Sequence, residues 1–99
     1  MRIDKELLNK AVFTTGNIIA GLPITQVFHD HDDDWQFFSD HEEITEENAR
    51  VVSLGEILEI EESLEKVILN LPKGYEAYRD DKNSSWYFKY NNETISDFN

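Results

Sequence analysis

The sequence contains no cysteine. Disulfide bonds, thiolate nucleophiles and sulfur-ligated zinc or iron-sulfur sites are therefore excluded, and the composition fits a reducing compartment. The first residues, Met1 to Glu6, include acids where a signal peptide needs a basic start followed by an apolar stretch. The chain also lacks an apolar run long enough to span a bilayer. We therefore expect a cytoplasmic protein without membrane contact.

Glycine and proline are scarce, with four and two residues. The glycines are scattered as turn signals, so the chain has no glycine-rich loop that could cradle a phosphate and no glycine-flanked nucleophile. Ser39, Asp40 and His41 have the residue types of a catalytic triad, but consecutive residues do not normally arrange a base against a nucleophile. The setting of the twenty-one acids singles out no carboxylate pair. We expect no catalytic residues and no enzyme.

Basic residues are absent from Ala11 to Ala49. The other parts of the chain balance twelve acids against all nine Lys and Arg residues, so most of the net charge of -12 lies in this one stretch. A local negative field repels phosphate backbones and attracts basic proteins. We expect a basic protein partner and no nucleic acid. The stretch holds nine acids: Asp30, Asp32, Asp33, Asp34, Asp40, Glu42, Glu43, Glu46 and Glu47.

Hydrophobic residues make up 39% of the chain, enough for one modest core, and no composition break marks a second domain. The alternation of apolar and polar residues predicts an α+β fold: an antiparallel sheet of about four to five strands with one or two short helices packed on one face. We expect a single domain over 1–99, with a helical segment in 1–10 and a frayed tail over 91–99. The strand candidates are Ala11–Thr15, Ile24–His29, Trp35–Phe38, Arg50–Val52, Tyr75–Arg79 and Ser85–Tyr90.

A helical region is predicted from Leu54 to Asn70. Ser53 and Glu56 have the spacing of a capping box at its start. Glu61 interrupts the apolar stripe, which favours two short helices over one, and Pro72 with Gly74 ends the second. The helical residues expected to be buried, with Trp86 and Phe88 opposite them, are Leu54, Leu58, Leu64, Val67 and Ile68.

The run Asp30 to Asp34 resembles the start of a calcium-binding EF-hand loop. Trp35 stands where the sharp turn needs glycine, and His41 stands where the bidentate glutamate belongs, so we expect no calcium site. His29 and His31 would share one strand face only if the strand continued into the turn, and nothing fixes the distance to His41. We expect no metal and no cofactor.

Five aromatic residues recur at strand spacing. Rings at such positions could stack on single-stranded nucleic acid, but that mechanism needs a basic groove beside them. Core packing is the expectation for all five, and Arg79 is expected to pair with a carboxylate. The five are Trp35, Phe37, Phe38, Trp86 and Phe88.

The order of several short segments resembles a bacterial domain-of-unknown-function family grouped with toxin-immunity proteins, immunity protein thirty-three. The segments are Val12-Phe13-Thr14-Thr15, Leu22-Pro23-Ile24, Asp34-Trp35-Gln36-Phe37-Phe38, Val52-Ser53-Leu54, Leu71-Pro72-Lys73-Gly74 and Ala77-Tyr78-Arg79. The resemblance covers about Ala11 to Arg79, and Asp34 departs from it, since a glycine is expected before the Trp. It implies a protein that binds and blocks a cognate toxin, and it transfers no catalytic residue.

Two hypotheses follow. The first is a non-catalytic, immunity-like binding protein that neutralises a basic protein such as a polymorphic toxin, with Trp35 or Phe38 as an apolar anchor. The alternative is a small metabolic or regulatory domain that binds a small molecule between helix and sheet, or has a weak carboxylate-based activity. The oligomeric state is left open. The predicted partner-binding residues are Asp30, Asp32, Asp33, Asp34, Trp35, Phe38, Asp40, Glu42 and Glu43.

Overall fold

The chain folds as an α+β domain in which short helices pack against a mixed β-sheet. The structure, a computed structural model, describes residues 3–90 and 93–98. Seven strands of these residues form one sheet in the order β4-β1-β3-β2-β5-β6-β7. The strands are β1 Ala11–Thr15, β2 Gln26–His29, β3 Trp35–Phe38, β4 Ala49–Ser53, β5 Tyr75–Tyr78, β6 Trp86–Tyr90 and β7 Glu93–Phe98.

One strand pair differs from the predicted antiparallel sheet. β1 and β3 are parallel, with Phe13 beside Gln36, whereas the other neighbouring strands are antiparallel. A helix that was not predicted from the sequence, α2, Gly16–Ile19, follows β1 directly. Thr15 caps α2 by accepting a hydrogen bond from Ile18 N. The chain thus leaves β1 without a tight turn, and β3 becomes its inner neighbour.

Two of the predicted strands form an antiparallel hairpin with an acidic tip. β2 pairs with β3 from Gln26 opposite Phe38 to His29 opposite Trp35. The turn between them has positive φ at Asp33, 73°, a conformation that short acidic side chains tolerate better than most residues. The acidic turn, residues 30–34, therefore lies at one end of the sheet.

The helical region divides as predicted. Ser53 caps α3, Leu54–Ile60, by accepting a hydrogen bond from Glu56 N at 3.1 Å. Glu61 leaves the helical conformation, with φ -142° and ψ 86°, which ends α3. A 3-10 turn, Glu62–Leu64, then leads into α4, Glu65–Asn70.

The core lies between these helices and one face of the sheet. All the predicted helical core residues are buried, and so are Trp86 and Phe88. The expected N-terminal helical segment is α1, Lys5–Leu8, which Asp4 caps. The chain from Glu93 to Phe98 pairs with β6 as β7. The predicted tail over 91–99 also includes residues 91, 92 and 99, which lie outside the described residues.

No helix of the described residues is both long and apolar enough to cross a membrane.

Candidate partner-binding surface

The acidic turn is internally bonded. Asp30 N donates to Asp34 O at 2.8 Å, and Asp33 N donates to Asp30 O at 2.9 Å. The Asp30 carboxylate accepts a hydrogen bond from Gln36 Nε2 at 2.7 Å, and the Asp32 carboxylate accepts one from Asp34 N at 3.2 Å. The acids of this turn therefore hold its conformation as well as carrying charge.

Asp33 is the most strongly engaged acid of the turn. Its Oδ1 lies 2.7 Å from His29 Nε2, and its Oδ2 lies 3.9 Å from Lys10 Nζ. The hydrogen bond from His29 lowers the pKa of the Asp33 carboxyl; partial burial opposes that effect, and the charge of Lys10 adds to it. Asp33 thus forms a local ion-pair cluster and is less available to a partner than sequence reasoning implied.

His29 is buried beneath this turn. Its Nδ1 lies 2.7 Å from Leu71 O, and its ring stacks on Trp35 with the centroids 3.7 Å apart. Leu71 O and the Asp33 carboxylate are both hydrogen-bond acceptors, and each of them faces one of the two ring nitrogens of His29. His29 therefore links the hairpin to the chain after α4.

His31 packs against Gly74. Gly74 has a positive φ of 83°, and a Cβ placed there would collide with the His31 ring. Gly74 N also donates to His29 O at 2.6 Å. His41 lies at the opposite end of β3, beside Asp40 at 3.4 Å, so the three histidines are not brought together. Among residues 3–90 and 93–98, no group of three or more His, Asp or Glu side chains could hold a metal ion.

The second group of acids lies in the segment from Ser39 to Asn48. The Asp40 carboxylate accepts a hydrogen bond from Thr25 Oγ1 at 2.9 Å. Glu42 accepts one from Thr15 Oγ1 at 2.7 Å and one from Ser39 N at 3.0 Å. Both acids therefore fix this segment to the ends of the strands.

Three further acids in the segment point to solvent. Glu43, Glu46 and Glu47 are exposed, and none of them has an ion-pair partner within the described part of the chain. Their backbone is ordered by a reciprocal pair: Thr45 N donates to Asn48 Oδ1 at 2.8 Å, and Asn48 N donates to Thr45 Oγ1 at 3.2 Å. We call these three residues the glutamate patch. Sequence reasoning placed only Glu43 among the partner-binding residues.

The structure separates the two acidic groups that were predicted to act together. The acidic turn precedes β3 and the glutamate patch follows it, so they lie at opposite ends of the sheet. Four residues of extended chain span about 13 Å, which exceeds the Debye length of about 8 Å at physiological salt. One partner surface need not include both.

Neither aromatic anchor that was predicted lies at the surface. Trp35 is 2% exposed and belongs to the core, and Phe38 is 6% exposed and packs against Phe28 with the centroids 6.2 Å apart. The expectation of core packing is therefore confirmed for Trp35, while Phe38 is buried outside the main core cluster. Neither ring is presented on the surface as an anchor.

Two apolar residues that sequence reasoning missed are exposed instead. Phe13 is 43% exposed and Val51 is 62% exposed, and they lie directly opposite each other on β1 and β4. Their position could have been found from alternation, since Val12 and Val52 face the core and their neighbours face away. Val51 comes four residues after Glu47, so the apolar pair follows the glutamate patch.

Arg79 pairs with a carboxylate, as predicted. It is 5% exposed, donates to Glu61 Oε1 at 3.0 Å and to Ile24 O at 2.9 Å, and lies over the Trp86 ring. Partial burial acts to raise the pKa of Glu61, but hydrogen bonds from Arg79 and Ser63 and the charge of Arg79 outweigh it and lower that pKa. The ion pair with Arg79 explains why Glu61 interrupts the apolar stripe of the helical region.

Two surface hollows among the described residues are lined by none of the predicted partner-binding residues. A hollow of about 620 Å³ runs along the solvent side of the 3-10 turn and α4, lined by Glu62, Ser63, Glu65, Lys66 and Leu69. A smaller one of about 220 Å³ lies beside Arg79 and Trp86. The first is outside the helix-sheet interface where the alternative hypothesis expected a small-molecule pocket.

Comparisons with protein-family models, with curated proteins and with solved structures found no match to this chain.

Proposed function

We propose that this chain is a non-catalytic binding protein whose acidic surface captures a basic protein. The observation that carries the proposal is the glutamate patch: three exposed carboxylates, without ion-pair partners among the described residues, on a backbone that Thr45 and Asn48 hold in place. An ordered cluster of one charge speeds the encounter with an oppositely charged partner, and little ordering entropy is lost on binding.

The shifted carboxyl groups support a binding role over carboxylate catalysis. The pKa values of Asp33 and Glu61 are lowered, in each case with a hydrogen bond from a basic side chain that the fold itself supplies. A general acid or base acts best with a pKa near the working pH, and a lowered carboxyl pKa moves away from it. These two groups are suited to stabilising the fold.

The finer form of the proposal is an immunity-like protein whose basic partner is a toxin. It is supported by the short segments that resemble the immunity family and by the sign of the charge. The protein encoded by the gene next to this one is the first partner to test, because immunity proteins act on cognate toxins.

Stopped-flow association of the two purified proteins tests the proposal. We expect the association rate to fall steeply between low and physiological salt, while dissociation changes much less, because salt screens long-range steering more than close contacts. The triple variant Glu43→Gln, Glu46→Gln, Glu47→Gln should associate slowly at low salt. A matched control, Glu6→Gln, Glu59→Gln, Glu62→Gln, removes the same charge from exposed positions on or beside α1 and α3. Equal rates for the two triple variants would contradict the proposal.

A further inference from the structure

One edge of the sheet carries an open strand, β4, which pairs only with β1 among the described residues. At its two ends, Asn48 O accepts from Gly16 N at 2.8 Å, and Leu54 N donates to Lys10 O at 2.9 Å. The backbone groups of alternate residues in a strand point to the same side. Residues 48, 50, 52 and 54 therefore point inward to β1, and Ala49, Val51 and Ser53 point outward.

The outward groups of Ala49 are already bonded. Ala49 N donates to Thr45 O at 3.0 Å, and Ala49 O accepts from Arg50 Nη1 at 2.9 Å. The backbone N–H and C=O of Val51 are therefore the centre of the open edge, and the N–H of Ser53 is the next outward donor.

This edge lacks the usual protection against strand pairing. Edge strands are commonly blunted by proline, a bulge or an outward charge. β4 has no proline, and its register with β1 runs unbroken from Ser53 opposite Ala11 to Ala49 opposite Thr15. The Arg50 guanidinium turns back to Glu47 O and Ala49 O. Val51 and Phe13 add an exposed apolar surface beside the open backbone.

We propose that an extended segment of the basic protein partner adds to the sheet as a strand along β4, centred on Val51. This proposal rests on the proposed function and names the surface that performs it. Main-chain hydrogen bonds to Val51 would give affinity, the apolar pair would contact alternate side chains, and acids would meet basic residues at both ends of the segment. Glu46 and Glu47 precede β4, and Glu56 follows it.

Charge decides against a second copy as the occupant. Antiparallel pairing of two β4 strands about Val51 would bring the acids before one strand near Glu56 of the other, between chains that each carry a net charge of -12. Like charges brought together across an interface are unfavourable. A segment with β-branched residues in its centre and Lys or Arg at its ends avoids that repulsion.

Amide hydrogen exchange at Val51, followed by NMR, tests the proposal with a defined probe, the blocked peptide KKVTVKK. In the free protein we expect the Val51 amide to exchange at least about tenfold faster than the inward amides of Arg50 and Val52, because it is unpaired. Saturating peptide should slow Val51 exchange severalfold and shift the Phe13 and Ser53 resonances. The peptides EEVTVEE and KKVPVKK are the charge and hydrogen-bond controls, and neither should protect Val51.

A matched pair of protein variants isolates the backbone contact. Val51→Pro removes the outward N–H, fixes φ and replaces the valine side chain; edge strands tolerate proline at such a position, and the variant should abolish the response to the peptide. Val51→Thr keeps the N–H and the β-branched side chain and should retain it.

Three other results would each contradict docking of a partner strand along β4. If the peptide shifts the resonances of the glutamate patch but leaves Val51 amide exchange unchanged, the proposed docking along β4 is wrong and the proposed function still stands. Protection of Val51 in the free protein that grows with protein concentration would identify a second copy as the occupant and overturn the proposal. A peptide that shifts no resonance also overturns it, whereas the proposed function is judged by the association rate of the full partner.

Discussion

Arg79 Nη2 donates to Glu61 Oε1 at 3.0 Å and so joins the end of β5 to the break between α3 and α4. The guanidinium is almost completely buried and stacks on Trp86 at 4.5 Å. A buried charge that loses its partner is strongly destabilising. The pair thus fixes the position of the helical region on the sheet.

Glu61→Ala should lower the free energy of unfolding by roughly 3 kcal/mol, because it leaves Arg79 buried without its carboxylate. Glu62→Ala, at the next and exposed position, should change it by about 0.5 kcal/mol or less. Urea unfolding at neutral pH measures both. Similar values for the two variants would show that the ion pair contributes little.

Asp33→Asn should change the pH dependence of stability. The folded-state pKa of Asp33 is lowered, so the stabilisation is present above the ordinary value of 3.8 and is lost as pH falls through the lowered value. The variant should therefore be less stable than the parent protein near pH 6 and differ much less near pH 2. Asparagine tolerates the positive φ of this position, so the comparison isolates charge.

The control for this prediction is Asp32→Asn, at the position next to Asp33 in the same turn. Its amide oxygen can still accept the hydrogen bond from Asp34 N, so its stability should follow the parent at both pH values. Thermal melting across pH 2 to 6 distinguishes the variants. Parallel curves for Asp33→Asn and the parent protein would mean that the His29 contact does not act through charge.

Trp35→Ala should destabilise the protein by roughly 3 to 5 kcal/mol, because the ring is in the core and stacks on His29. Trp35→Phe should cost less, since it keeps an aromatic ring and removes Nε1, a buried donor that has no hydrogen-bond partner among the described residues. Urea unfolding gives both values. A Trp35→Ala protein with near-parent stability would argue that the ring does not lie in the core.

The two acidic groups should contribute separately to association with a basic partner. Neutralising Glu43, Glu46 and Glu47 to Gln should slow association more than changing Asp30, Asp32 and Asp34 to Asn, because the glutamate patch directly precedes β4 and the acidic turn lies more than a Debye length from that patch. Asp33 is left unchanged in the second variant to preserve its contact with His29. Stopped-flow rates at low and physiological salt provide the measurement, and a larger effect from the acidic turn would place the partner at that end of the sheet.

Sequence reasoning succeeded where neighbouring residues determine the structure. The β2–β3 hairpin, the Ser53 cap and the helix break at Glu61 all follow from local spacing, turn chemistry or capping. The parallel pairing of β1 with β3 did not follow, because it depends on how α2 redirects the chain.

The candidate surface was predictable only in part. The sign and location of the charge in the sequence were sufficient to propose a basic partner. The sequence did not show that the acidic turn and the glutamate patch, which lie before and after β3, are at opposite ends of the sheet. The edge position of β4 depends on the order of all the strands, which alternation alone does not give. Hence Val51 appeared in the sequence only as a strand residue.

Gly74 has no functional side chain, but the backbone and packing around it restrict which residue can occupy the position. Its positive φ favours glycine, a Cβ at this position would displace the exposed His31 ring, and its N–H donates to the backbone oxygen of His29. The turn after α4 and the hairpin tip are therefore held together by a packing contact and a hydrogen bond. In a library containing all twenty amino acids at this site, selection for folded protein would enrich glycine, because other side chains are strained at this positive φ and would also displace the His31 ring.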